Sequence, residues 1–144
     1  GNSAFENCTA LAKIDFSKAT ALKTIGKSAF AGCSLLGYTM LATESAGLVT
    51  LPVSLTSLGE KAFYGCTELT RISVPATVTA LEANTFYNCA KLETVNLGAD
   101  VTLGTTVFGK CDKLTALNVA NVNKLSAYVA ANPSAFDADF TVGE

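Results

Sequence analysis

Residues 62–98 read AFYGCTELTRISVPATVTALEANTFYNCAKLETVNLG, and one phrase occurs twice within them. Phe63-x-x-Cys66-x-x-Leu69-x-x-Ile72-x-Val74 returns as Phe86-x-x-Cys89-x-x-Leu92-x-x-Val95-x-Leu97, 23 residues later. Ile72-Ser73-Val74 places a polar residue between two apolar ones, the period of a strand with one face buried. Three such residues cannot make a sheet alone. A phrase that recurs at a fixed short interval implies that copies stack and share one core.

Working outward, the same phrase begins at Phe5, Phe30 and Phe108, so successive phenylalanines stand 25, 33, 23 and 22 residues apart. The first unit runs Phe5, Cys8, Leu11, Ile14, Phe16, with a slightly long loop at Ser17–Thr20. The second keeps Phe30, Cys33 and Leu36 and then breaks. Counting forward from Cys33 puts Thr39 and Leu41 in the strand slots. Counting back from Phe63 puts Val49 and Leu51 there and aligns Pro52 with Pro75, each 11 residues before its Phe. The second register is preferred. It makes residues 37–47 an insertion that bulges or adds a short strand. After Val119 the period fails. Ser134-Ala135-Phe136 repeats Ser3-Ala4-Phe5 and Ser28-Ala29-Phe30 with Asp139 in the cysteine slot, so residues 121–144 read as a decayed sixth unit, a C-terminal cap with a short helix before Pro133.

The triplets Ile14–Phe16, Val49–Leu51, Ile72–Val74, Val95–Leu97 and Leu117–Val119 are predicted to stack in parallel at about 4.8 Å, forming a ribbon with an apolar inner face. A right-handed return is the default for such connections. Pro52 and Pro75 end the strand, and Leu55/Leu58 or Val78/Leu81 then turn inward. Two residues after each Phe stand Asn7, Gly32, Gly65 and Asn88, types that accept positive φ, so a left-handed bend is expected there. Lys110 departs from this pattern.

The phrase L-x-x-I-x-V-P-x-x-V-x-x-L-x-x-x-x-F-x-x-C, carried here by Leu69, Ile72, Val74, Pro75, Val78, Leu81, Phe86 and Cys89, resembles the BspA-like, Treponema-type leucine-rich repeats of bacterial surface proteins. The resemblance covers about residues 3–120. It implies one leucine-rich-repeat solenoid over residues 1–144: a right-handed coil with one short parallel strand per 22–25-residue repeat and turns or short helical segments opposite. It also implies an exported or cell-surface adhesion module that contacts protein or glycan on a host or neighbouring cell, its signal peptide removed ahead of Gly1.

Each of the five cysteines lies three residues after a Phe. One slot per coil predicts small core residues rather than a redox relay, a metal site or reactive nucleophiles, and parallel Cβ vectors are poor disulfide geometry. No C-x-x-C pair and no His suggests a metal site. The phenylalanines, also one per coil, are predicted to stack internally. Without His a Ser or Cys triad is unavailable, the carboxylates are scattered, and no phosphate, dinucleotide or calcium loop is present. The reading is therefore non-catalytic, with no cofactor.

Residues that alternate with the buried strand positions face outward. Among them Lys13, Asp15, Arg71, Ser73, Thr94, Asn96 and Asn118 form a small polar candidate interaction face. The insertion contributes Tyr38, Met40 and Glu44 as a candidate interaction loop, or packs its apolar residues back on the core. Short side chains equally suit a structural spacer that displays another domain. The 144 residues are 49% apolar and 15% charged with a net charge of −2. That composition is globular and gives no electrostatic case for nucleic acid or an anionic membrane. No apolar run reaches the roughly 20 residues of a membrane span. Phe5 has no polar cap before it. Either coils precede it, or this open end pairs with another copy edge to edge.

Overall fold

The computed structural model describes residues 1–38, 40, 47–99, 101–119 and 129–137. The chain coils, and each coil contributes one rung to each of several ladders. Eight short strands are described: β1 (Thr24–Ile25), β2 (Leu48–Thr50), β3 (Ser57–Leu58), β4 (Arg71–Val74), β5 (Ala80–Leu81), β6 (Thr94–Leu97), β7 (Thr102–Leu103) and β8 (Ala116–Asn118). The ribbon is the parallel sheet β2-β4-β6-β8. Its register is that of the repeat: Val49 opposes Ile72, Ile72 opposes Val95, and Val95 opposes Leu117. These residues are all buried, and so are Leu51, Val74, Leu97 and Val119 one pleat further on. Alternation along each strand thus sends one side chain inward and the next outward. The register that aligns Pro52 with Pro75 is the one observed, since Val49 pairs with Ile72.

The return path carries a second row of two-residue parallel pairs, β1 with β3 and β5 with β7. Leu55, Leu58, Val78 and Leu81 point into the core as expected. Glycine here answers to close approach: a Cβ on Gly59 would stand 2.6 Å from the Lys27 amide nitrogen and 2.8 Å from the Gly26 carbonyl carbon.

Around each Phe the backbone donates to the next coil at every second residue. Ser28, Phe30 and Gly32 donate N–H to the carbonyls of Glu60, Ala62 and Tyr64 at 2.9, 2.8 and 2.7 Å. Lys61, Phe63 and Gly65 repeat this onto Ala83, Thr85 and Tyr87. The pattern needs a left-handed residue on each side of the Phe. The later bend falls at Asn7, Gly32, Gly65, Asn88 and Lys110, so even the lysine adopts it, at φ 55°. An earlier bend, unforeseen from residue type, falls at Ser3, Ser28, Lys61, Asn84 and Thr106.

Inside run two columns. Phe5, Phe30, Phe63, Phe86, Phe108 and Phe136 stack in sequence with ring centroids 5.1–5.8 Å apart and interplanar angles of 2–24°. Phe136, beside a 3-10 helix at Pro133–Ala135, continues the stack, and the carbonyls of Ser134 and Ala135 accept from Thr106 and Phe108. Beside the rings lies a thiol column. Cys33, Cys66, Cys89 and Cys111 each donate S–H to the carbonyl of the Phe one coil earlier, Phe5, Phe30, Phe63 and Phe86, at 3.0–3.3 Å. These four are buried and free. Burial pushes the Cys66 and Cys89 thiols well up and Cys111 to about 12. Cys8 breaks the expectation for all five and is exposed, because among the described residues no coil covers the side of it on which the others find their carbonyl.

A further correction concerns the first unit. Residues 14–16 form no strand. Leu22 stands six positions after Phe16, against four from Val74 to Val78, so the first coil has slack where the others run taut. Asp15 Oδ1 accepts the Ser17 N–H at 2.8 Å and bends the backbone where a strand would continue. That bond holds the Asp15 carboxyl below its ordinary value.

Candidate functional site

The outer face of the ribbon is set by its register. Arg71 lies beside Thr94, and Ser73 beside Asn96, which in turn lies beside Asn118. The Asn118 side-chain amide donates to Asn96 Oδ1 at 2.7 Å, so the two form a short ladder across β6 and β8. Arg71, Ser73, Thr94 and Asn96 are half-buried and Asn118 is exposed. Five of the seven predicted face residues therefore share one continuous surface. Lys13 and Asp15 do not. They stand apart from the sheet, on a first-coil segment that forms no strand and bows away from β2. Of the predicted loop, Tyr38 and Met40 are exposed, Met40 at 88%, and Glu44 lies outside the described residues.

Between the bowed segment and β2 opens a cleft of about 680 Å³. Ile14, Phe16, Leu48 and Leu51 are among its apolar lining residues, with Lys13, Asp15 and Thr50 among the polar ones. Beyond each end of it the two coils are tied to each other. At one, Gly37 N–H donates to the Ala12 carbonyl at 2.9 Å. At the other, Ser54 Oγ lies 3.1 and 2.8 Å from the carbonyls of Ala19 and Leu22. The inserted stretch leaves and rejoins the coil at one point: a Cβ on Gly47 would stand 3.2 Å from the Gly37 carbonyl oxygen. The signal for this cleft was present in the sequence as the long loop at Ser17–Thr20, but loop length alone does not say whether slack opens a gap or folds outward.

Opposite the ribbon, Tyr64 and Tyr87 stack at 5.3 Å, with Lys110 Nζ 5.7 Å from the Tyr87 ring centroid. Salt bridges Lys27–Glu60 and Lys91–Glu68, each 2.8 Å, tie neighbouring coils at the surface. No group of three or more metal-ligating side chains occurs among the described residues, and none of their helices is long and apolar enough to cross a membrane.

The stacked coils, the Phe and Cys columns and the parallel ribbon invite comparison with known repeats. A profile of the BspA type leucine-rich repeat region, in six copies, matches residues 1–47 and 42–137. The chain belongs to the BspA-type leucine-rich-repeat family. Its fold is similar to that of the T. pallidum leucine-rich repeat protein TpLRR, at 26% identity and a TM-score of 0.71 over 99% of this chain and 57% of that one. It is also similar to a leucine-rich repeat protein from Bacteroides ovatus, at 27% identity and a TM-score of 0.58, over 82% of this chain and 34% of that one. The BspA-type chain thus spans about half and a third of these relatives. No curated protein sequence matches it. BspA-type repeats are generally protein-interaction modules and typically non-catalytic, and proteins that carry them are generally surface-held or secreted.

Proposed function

We propose that this chain is a non-catalytic adhesion module of an exported or cell-surface bacterial protein, contacting a protein or glycan through the outer face of β2, β4, β6 and β8. The observation that carries this reading is the in-register row of Arg71, Ser73, Thr94, Asn96 and Asn118 on a continuous rigid sheet. Rigid elements hold side chains in fixed relative positions, so little ordering entropy is lost on contact. The row holds hydrogen-bonding groups of both senses and one cation, which suits neutral polar partners. Tyr38 and Met40 lie exposed on the same chain as an accessory contact.

The test is a binding screen of the purified chain against an array of extracellular-matrix proteins and mucin-type glycans. The double variant Arg71→Ala, Asn96→Ala runs beside the parent. The expected result is one class of hit that the variant weakens at least tenfold. Hits that the variant binds equally well refute the face. A second reading is favoured by the shortness of the row, where Arg71 alone is of the type enriched at binding hot spots. On that reading the coil is a spacer that displays another domain, and a clean screen supports it.

A further inference from the structure

The cleft is walled on one side by the open edge of β2 and on the other by the backbone of residues 13–16, which form no strand. In a parallel ladder, successive residues aim N–H and C=O to opposite sides. Arg71 N–H donates to the Gly47 carbonyl and Leu51 N–H to the Ser73 carbonyl, which turns Gly47, Val49 and Leu51 toward β4. Leu48 and Thr50 therefore turn their N–H and C=O groups toward the first coil. Across the gap, the N–H groups of residues 13–16 make no hydrogen bond among the described residues. Elsewhere neighbouring coils pair directly at this place, as β4 pairs with β6. Here they stand apart around 680 Å³, within the range of ligand pockets.

We propose that this cleft binds a short extended peptide of a partner protein, lying parallel to β2 and bridging the gap in the ribbon. Backbone edges select a ligand that carries alternating amide donors and acceptors at strand spacing, which a peptide does and a sugar does not. The apolar lining from Ile14, Phe16 and Leu48 meets side chains from alternate residues of that peptide. Lys13 and Asp15, of opposite charge, leave the site without a net field, so the peptide's contacts there are apolar and backbone rather than ionic. The ribbon itself shows what pattern the β2 edge accepts, since β4 supplies Ile72-Ser73-Val74 on its other side. This site uses backbone groups between coils and stands apart from the side-chain face proposed above.

The probe is the capped pentapeptide Thr-Val-Asn-Leu-Gly, the sequence of residues 94–98, titrated into the ¹⁵N-labelled chain to millimolar concentration. The expected result is saturable shifts at the amides of residues 13–16, Leu48 and Thr50, with Asn96 and Asn118 unmoved. The same peptide N-methylated at two alternate amides loses backbone donors and should bind about tenfold or more weakly. Thr50→Pro, which removes a donor facing the cleft and spares the bonds to β4, should weaken binding similarly in a variant that keeps its melting temperature within a few degrees. Because N-methylation changes only the ligand, it tests the site whether or not that variant folds. Equal affinity of the methylated peptide, or no saturable shift, overturns the proposal. Shifts confined to Arg71, Asn96 and Asn118 overturn it too, while supporting the outer face.

Discussion

Phe86→Ala is the most informative single perturbation of this fold. Phe86 is fully buried, its ring stacked on Phe63 at 5.7 Å and on Phe108 at 5.8 Å. Truncating a buried Phe costs about 3–5 kcal/mol through lost transfer energy and the cavity left behind. Two ring pairs at roughly 0.5–1.5 kcal/mol each place this site at the upper half of that range, near 4 kcal/mol. Collapse offers little relief, because the rings above and below belong to ladders hydrogen-bonded on both sides. Phe86→Leu keeps most of the volume and loses the stacking, so it should cost about 1–3 kcal/mol, the sum of the two ring pairs. Phe5→Ala is the internal control. Its ring has one stacking partner in that column and is 46% exposed, and its loss should be less than half that of Phe86→Ala. Urea unfolding followed by far-ultraviolet circular dichroism gives the free energies. With an m-value of about 2 kcal/mol/M, Phe86→Ala lowers the midpoint by about 2 M. A melting point lower by roughly 8–16 °C should accompany it. A lowered m-value would show the array breaking into parts at the central coil, as nearest-neighbour repeats can. A loss under 1 kcal/mol, or equal losses at Phe5 and Phe86, refutes the argument that the stack is the internal spine.

Three further outcomes follow from the same geometry. A thiol reagent should label Cys8 in the native chain within minutes and Cys33, Cys66, Cys89 and Cys111 only on unfolding, as counted by intact mass; native labelling at a second site contradicts the thiol column. Burial raises the Cys66, Cys89 and Cys111 thiols above their ordinary value of 9.0, so above pH 9 the unfolded chain loses these protons while the folded chain keeps them. Stability is then full below pH 9 and falls as pH rises toward 12, on the order of 1 kcal/mol per thiol for each pH step above 9, and Cys89→Ser should flatten that slope in pH-dependent urea unfolding. Finally, Gly59→Ala should cost about 1–3 kcal/mol because its Cβ meets backbone of the neighbouring coil. Gly65→Asn should cost under about 1 kcal/mol, since that position asks for left-handed backbone, which asparagine tolerates and Asn7 and Asn88 supply in their own coils. Thermal melts of the two variants check the contrast, and equal losses would undo it.

What the sequence makes legible by itself is whatever recurs. Phe, Cys and Leu at fixed intervals must occupy equivalent places in successive coils, because each coil touches only its neighbours and a repeated environment selects a repeated residue. That logic yielded the ribbon, the ring column, the four buried thiols and the strand register beyond the insertion. It yielded most of the candidate face as well, since alternation along a strand decides which side chains point outward.

The tertiary structure decided what does not recur. Cys8 carries the same motif as Cys89, yet one is exposed and the other buried, because a thiol is covered only if a coil lies on its open side. Ile14–Phe16 has the strand pattern of Val95–Leu97, yet forms no strand, because two extra residues and the Asp15–Ser17 turn give the segment a path away from β2. Lys13 and Asp15 left the candidate face with it, and a cleft took their place. Local pattern determines what a segment can pair with; whether it pairs depends on where the chain's slack puts the partner, and that distance is settled between coils rather than within one.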